Sequence, residues 1–243
     1  ELYTYAQDFW RLHVADNGRL ARLVFRTKLL PDALLDELSP YLARPALTFR
    51  RPDGNILPEA EKQAQKVWDT LREKLPELAA TFWRVHPSLS GSKFNKDKYE
   101  IKFAELAALA ESEEMPSEKL VQLLANTKGI SVFAPEYLEA AVKKGQNPAA
   151  ADLADLTLLH GAHQAAENLL AAEHQALIAL QLDFLQYVRE SAAEKRRTRT
   201  GRSPDELLLD VYHALTAGTH AETLADTVAH NWPVALIDEF QDT

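Results

Sequence analysis

The sequence contains no cysteine, which excludes disulfides, iron–sulfur clusters and thiolate zinc sites and fits a cytoplasmic chain. It has only 8 glycines, and none stands in a Gly-x-x-x-x-Gly-Lys-Ser/Thr pattern, so the chain offers no phosphate loop for a nucleotide. No apolar run approaches the roughly 20 residues that span a bilayer. The opening residues Glu1-Leu2-Tyr3-Thr4-Tyr5 form neither a basic region nor a signal-like apolar stretch, so no address to a membrane or for export is expected. Positive charge is outnumbered: 27 Lys and Arg stand against 36 Asp and Glu, a net charge of −9, which argues against a uniformly basic surface and confines any contact with nucleic acid to local patches.

What is present is a globular composition. Hydrophobic residues make up 46% and charged residues 26% of the 243 positions, enough for one large domain or two small ones with a sizeable core.

Apolar spacing predicts helices over about 2–16, 19–30 and 31–43, the second carrying Leu20, Leu23, Val24 and Phe25, with Asn17-Gly18 as a stop after the first. Turn chemistry at 50–55 marks a loop. A long helix follows over about 58–85, with Pro76 expected to kink or divide it. Trp68, Phe82 and Trp83 on that helix suit either base stacking or core packing; the place of Trp68 and Phe82 on the apolar stripe favours the core. The loop 86–98 holds Lys93, Phe94, Asn95, Lys96 and Lys98. The lysines suit a phosphate backbone and the phenyl ring a base or a wedge, or the loop is simply exposed with Phe94 as a buried anchor.

Further helices are predicted over about 99–111, 117–126 and 135–144, with an acidic turn at 111–116. The longest periodic segment runs from 149 to about 197, long enough for a strut between modules or a core element. His160, His163 and His174 on it are superficially metal-like, but no carboxylate stands as a further ligand. It ends in a basic cluster with Lys195, Arg196, Arg197, Arg199 and Arg202. Lys195 and Arg196 suit a helix C-terminus, while Arg197, Arg199 and Arg202 remain candidates for phosphate contact. Ser203-Pro204-Asp205-Glu206 is a helix start with Ser203 as the cap, and another helix follows over about 221–230.

The chain closes on Pro233-Val234-Ala235-Leu236-Ile237-Asp238-Glu239-Phe240-Gln241-Asp242-Thr243. The apolar run predicts a buried parallel strand, and two carboxylates at its C-terminal end suit Mg²⁺ and an attacking water. The string from Leu236 to Thr243 resembles motif II, the Walker B element, of superfamily 1A helicases of the UvrD and RecB type. Upstream, Glu194-Lys195-Arg196-Arg197 followed by Pro204-Asp205-Glu206-Leu207-Leu208, together with Asp8-Phe9-Trp10 and Lys93-Phe94-Asn95, also resembles stretches of RecB-type helicase-nucleases. Pro204 and Glu206 stand where that family has Phe and a second Asp.

The resemblance implies a mainly α chain: a helical 1B-type insertion subdomain over 1–165, then a long helix and a short α/β return over 166–243 ending in one Walker B strand. It implies that Asp238 helps position the Mg²⁺ of MgATP, Glu239 activates water, Gln241 senses the nucleotide and Asp242 supports the motif. It also implies DNA, duplex or fork, as partner, with the 93–98 loop as the contacting surface, and RecC-like and RecD-like subunits in a break-repair and recombination complex. The phosphate loop and a nuclease domain would lie outside this chain, which is therefore expected not to hydrolyse ATP alone. A helical docking scaffold without DNA binding is the alternative. A metal-dependent nuclease centred on Asp238, Glu239 and Asp242 is a third reading, and it would need further converging carboxylates or a lysine.

Overall fold

In the computed structural model, residues 2–42, 44, 47–111, 118–126, 128–198 and 204–234 are described. Among them the chain is mainly helical and contains no strand, only an isolated antiparallel bridge between Leu89 and Val142. The expected terminal strand lies outside the described residues, as do the cap Ser203 and all of the acidic turn at 111–116 except Glu111. The chain divides into two compact units, Glu1–Gln186 and Tyr187–Thr243.

In the first unit, α1 (Leu2–His13), α2 (Gly18–Thr27) and α3 (Pro31–Leu42) follow one another through short turns. Asn17 starts α2 rather than stopping α1: its side chain accepts a hydrogen bond from the Leu20 amide at 3.2 Å, satisfying a donor that has no partner within the helix. Lys28 closes α2 in the left-handed region at φ 57°, the one positive φ outside glycine among the described residues. The sequence pattern grouped Phe25 with the apolar residues of α2, but its side chain is turned outward. Leu23 and Val24 take the buried face instead.

α4 (Leu57–Val85) is one continuous helix of 29 residues with Pro76 inside it. Proline removes a single backbone donor, and the burial on either side holds the helix together across that gap. From Ala64 on, its buried apolar positions, Ala64, Trp68, Leu71, Leu75, Leu78, Phe82 and Val85, alternate in steps of four and three, the heptad spacing that keeps one seam against a neighbour. The same core takes in Tyr99, Phe103 and Leu106 of α5 (Lys96–Ala110) and Leu120, Val121 and Leu124 of α6 (Glu118–Asn126). Ile130 of α7 (Lys128–Ser131), Leu138 of α8 (Pro135–Glu139) and Leu156, Leu159, Ala162 and Leu169 of α9 (Ala150–Thr198) complete it. Arg84 of α4 donates from Nη2 and Nε to the Asp152 carboxylate of α9 at 2.8 and 3.2 Å.

Tyr99 is 1% exposed. Burial, with a smaller contribution from Tyr137, pushes its phenol above the ordinary value of 10.0. The unfolded chain therefore loses that proton at a pH where the folded chain keeps it, so stability falls as pH rises past 10.0, by up to about 1.4 kcal/mol per pH unit. Urea midpoints compared at about pH 9 and about pH 11 should show this loss, and Tyr99→Phe should flatten it.

In the second unit, α10 (Pro204–Thr216) and α11 (Ala221–Asn231) pack on each other. Gly218 in their turn sits where a Cβ would come within 3.1 Å of the Ala214 carbonyl oxygen. Leu207, Leu208, Val211, Tyr212 and Trp232 are exposed.

Candidate nucleic-acid interface

The segment leading into α5 is held by the backbone before any lysine is placed. The Ser90 amide donates to the Ala141 carbonyl at 2.8 Å and the Lys143 amide to that of Ser88 at 2.9 Å. The Phe94 amide closes a turn on the Ser90 carbonyl at 2.9 Å, and His86 Nε2 donates to the Phe94 carbonyl at 2.8 Å. Phe94 is 0% exposed, its ring centroid 5.4 Å from that of Tyr99 and 5.6 Å from that of Phe133. It is the buried anchor of the segment, and its ring has no face to offer a base. The physical reason is the aromatic nest around it, which excludes water from the ring.

Asn95 caps α5: its side-chain oxygen accepts from the Lys98 amide at 3.0 Å. That cap starts the helix at Lys96, earlier than the spacing of apolar residues indicates. Lys96 and Lys98 therefore stand exposed on the first turn of a helix, where the macrodipole favours anions over cations. Only Asp97 there has the sign the dipole prefers. Lys93 is half-buried, with Nζ 3.4 Å from the Ala140 carbonyl and 4.6 Å from the Tyr137 ring centroid.

One residue of this surface is not apparent from the loop alone. Lys102 follows Lys98 by one helical turn, so the two share a face. Burial first, and the charge of Lys98 second, hold its ammonium below the usual lysine range, with Glu105 opposing. The i,i+4 spacing from Lys98 is the signal the sequence carries for it.

The other candidates divide. Trp68 and Phe82 are buried in the core, and Trp83 packs against it. His163 is buried, with Nδ1 donating to the Leu124 carbonyl at 2.7 Å and Nε2 3.4 Å from Glu167, so this histidine joins α9 to α6. No group of three or more residues suited to a metal occurs among the described residues. Arg197 lies in the last turn of α9 with its side chain outside the described residues, and Arg199 and Arg202 lie outside them altogether. So do Asp238, Glu239, Gln241 and Asp242. A cavity of about 470 Å³, lined by Asn17, Arg19, Arg51 and Asp183, also opens in the first unit. There Arg51 pairs with Asp183 at 2.7 Å.

The described residues thus make a helical module with a cationic helix start on a chain of negative net charge. No helix among them is long and apolar enough to cross a membrane. No protein-family model matches the sequence. Over 246 aligned residues, 99% of this chain, it is 28% identical to the RecBCD enzyme subunit RecB of Escherichia coli (strain K12). The chain spans 19% of the length of that relative.

Proposed function

We propose that this chain is the DNA-contacting helical part of a RecB-like, UvrD-type helicase-nuclease subunit that acts in double-strand break repair and recombination. The observation that carries the reading is the similarity to RecB along 99% of the chain. The motif II string from Leu236 to Thr243 adds to it. In this reading the chain runs from after motif Ia to motif II. Residues 1–165 are the 1B-like subdomain, and residues 166–243 return towards the motor domain. DNA, duplex or fork, meets the start of α5 through Lys96 and Lys98, with Lys102 behind them and Lys93 at the edge; Asn95 and Phe94 hold that surface in place. Arg197, Arg199 and Arg202 are further phosphate contacts. The partners are RecC-like and RecD-like subunits.

At motif II, Asp238 would supply the hard carboxylate oxygen that Mg²⁺ takes. Asp238 would hold the ion of MgATP, Glu239 would orient and deprotonate the water, Gln241 would read the nucleotide state and Asp242 would support them by hydrogen bonding. The bound ion neutralises charge on the phosphates.

A docking scaffold remains the second reading, favoured by the exposed apolar side chains of α10 and α11. Fluorescence anisotropy of the chain with forked, duplex and single-stranded DNA across a salt series separates the two. DNA contact through lysines gives binding that prefers duplex or fork and weakens steeply with salt. No binding at low salt overturns it in favour of the scaffold.

A further inference from the structure

The lysine surface leaves one cationic element unused. α2 and its closing residue carry Arg19, Arg22, Arg26 and Lys28 without a single carboxylate, in a chain whose net charge is −9. Two of these cations have structural employment. Arg19 pairs with Glu61 of α4, and Arg26 pairs with Glu173 of α9, so both flank the helix and fasten it to its neighbours. Arg22 is exposed and lies between them along the helix, one turn from Phe25 and from Arg26. Its charge is felt at Glu61, whose ion-pair partner is Arg19.

Phe25 is the second half of the observation. It is 64% exposed, and its ring stands edge to face with that of Trp10 at 5.9 Å and 86°. The contact fixes the ring from one side and leaves the rest to solvent. An aromatic face held rigid beside an arginine is the pairing that single-stranded nucleic acids use: the ring stacks on an unpaired base and the cation takes the neighbouring phosphate. Duplex DNA hides its base faces in the stack and has no use for the ring.

We propose that the face of α2 formed by Arg22 and Phe25, backed by Trp10, binds single-stranded DNA, with Phe25 stacking on an unpaired base and Arg22 and Lys28 contacting phosphates. The inference rests on the DNA-contacting reading above for its class of ligand, but it names a different surface and a different form of DNA.

The test uses the full 243-residue chain and fluorescein-labelled oligo(dT), with a blunt hairpin duplex alongside. Phe25→Ala weakens oligo(dT) binding about tenfold or more, and Phe25→Trp restores it. Arg22→Ala weakens it too and lowers the salt slope by about 0.7, while Arg22→Lys keeps the slope. Both residues are exposed, so circular dichroism should show the same helix content in each variant. Wild-type affinity for oligo(dT) in Phe25→Ala and Arg22→Ala overturns the proposal. Equal losses on the hairpin and on oligo(dT) overturn the stacking role of Phe25. If these variants are silent while lysine variants on α5 still lose duplex binding, only the α2 inference falls. If the unaltered chain binds no DNA at low salt, both fall.

Discussion

Phe82→Ala is expected to cost the first unit about 3–5 kcal/mol of stability, a large part of what a domain of this kind possesses. Phe82 is fully buried near the C-terminal end of α4. Its ring centroid lies 4.9 Å from Trp83, 5.1 Å from Tyr99 and Phe103, 5.8 Å from Phe133 and 6.2 Å from Phe94. One side chain thus joins α4, α5, the segment before α5 and the turn after α7. Truncation removes apolar burial and leaves a void bordered by rings, which are too rigid to collapse into it. Urea unfolding followed by far-ultraviolet circular dichroism gives the number from the shift in midpoint. Phe82→Leu, which fills most of the volume, should cost well under half as much. A loss below about 1 kcal/mol for Phe82→Ala would mean that the cluster repacks. Because Phe94 belongs to the same cluster, the Phe82 change should also loosen the start of α5 and weaken duplex binding indirectly.

The double change Lys96→Ala and Lys98→Ala is expected to lower the slope of log affinity against log salt for duplex DNA by about 1.8, roughly 0.9 for each phosphate no longer neutralised. At low salt the affinity itself should drop by tens of fold. The argument is electrostatic. Both side chains are exposed and stand on the first turn of α5, so their charge is not spent in folding and opposes the helix dipole. Their removal should leave stability unchanged or slightly raised, which separates a binding defect from a folding defect. Lys93→Ala should do less, since its ammonium already lies by the Ala140 carbonyl and the Tyr137 ring. Lys102→Ala should act in the same direction as the double change. A double variant that binds with an unchanged slope would remove α5 from the DNA-binding surface.

Much of the helical order was legible because burial and periodicity agree. The 4–3 spacing of α4 is written plainly in the sequence, and its buried residues follow it past Pro76. Where local and tertiary signals compete, the sequence alone misleads. Asn17-Gly18 has the composition of a helix stop, yet the Asn17 side chain bonds forward to Leu20 and starts a helix. Phe25 has the hydrophobicity of a core residue, and only its neighbours decide that Leu23 and Val24 take the core while Phe25 meets Trp10 at the surface. Phe94 stands among lysines in sequence but among aromatic rings in space, because Asn95 ends the segment immediately after it. Lys102 is hidden from a reading of the contiguous loop, because a helix assembles its faces from every third and fourth residue. Motif II was the most specific string in the chain, and Asp238 and Glu239 lie outside the described residues.

Lys28 carries a conformational cost at the end of α2. A side chain at φ 57° costs on the order of 1 kcal/mol that glycine would avoid, and a cation at a helix C-terminus returns only a fraction of it. Lys28→Gly, the stabilising change that the backbone geometry suggests, would therefore also remove a cation from the end of α2.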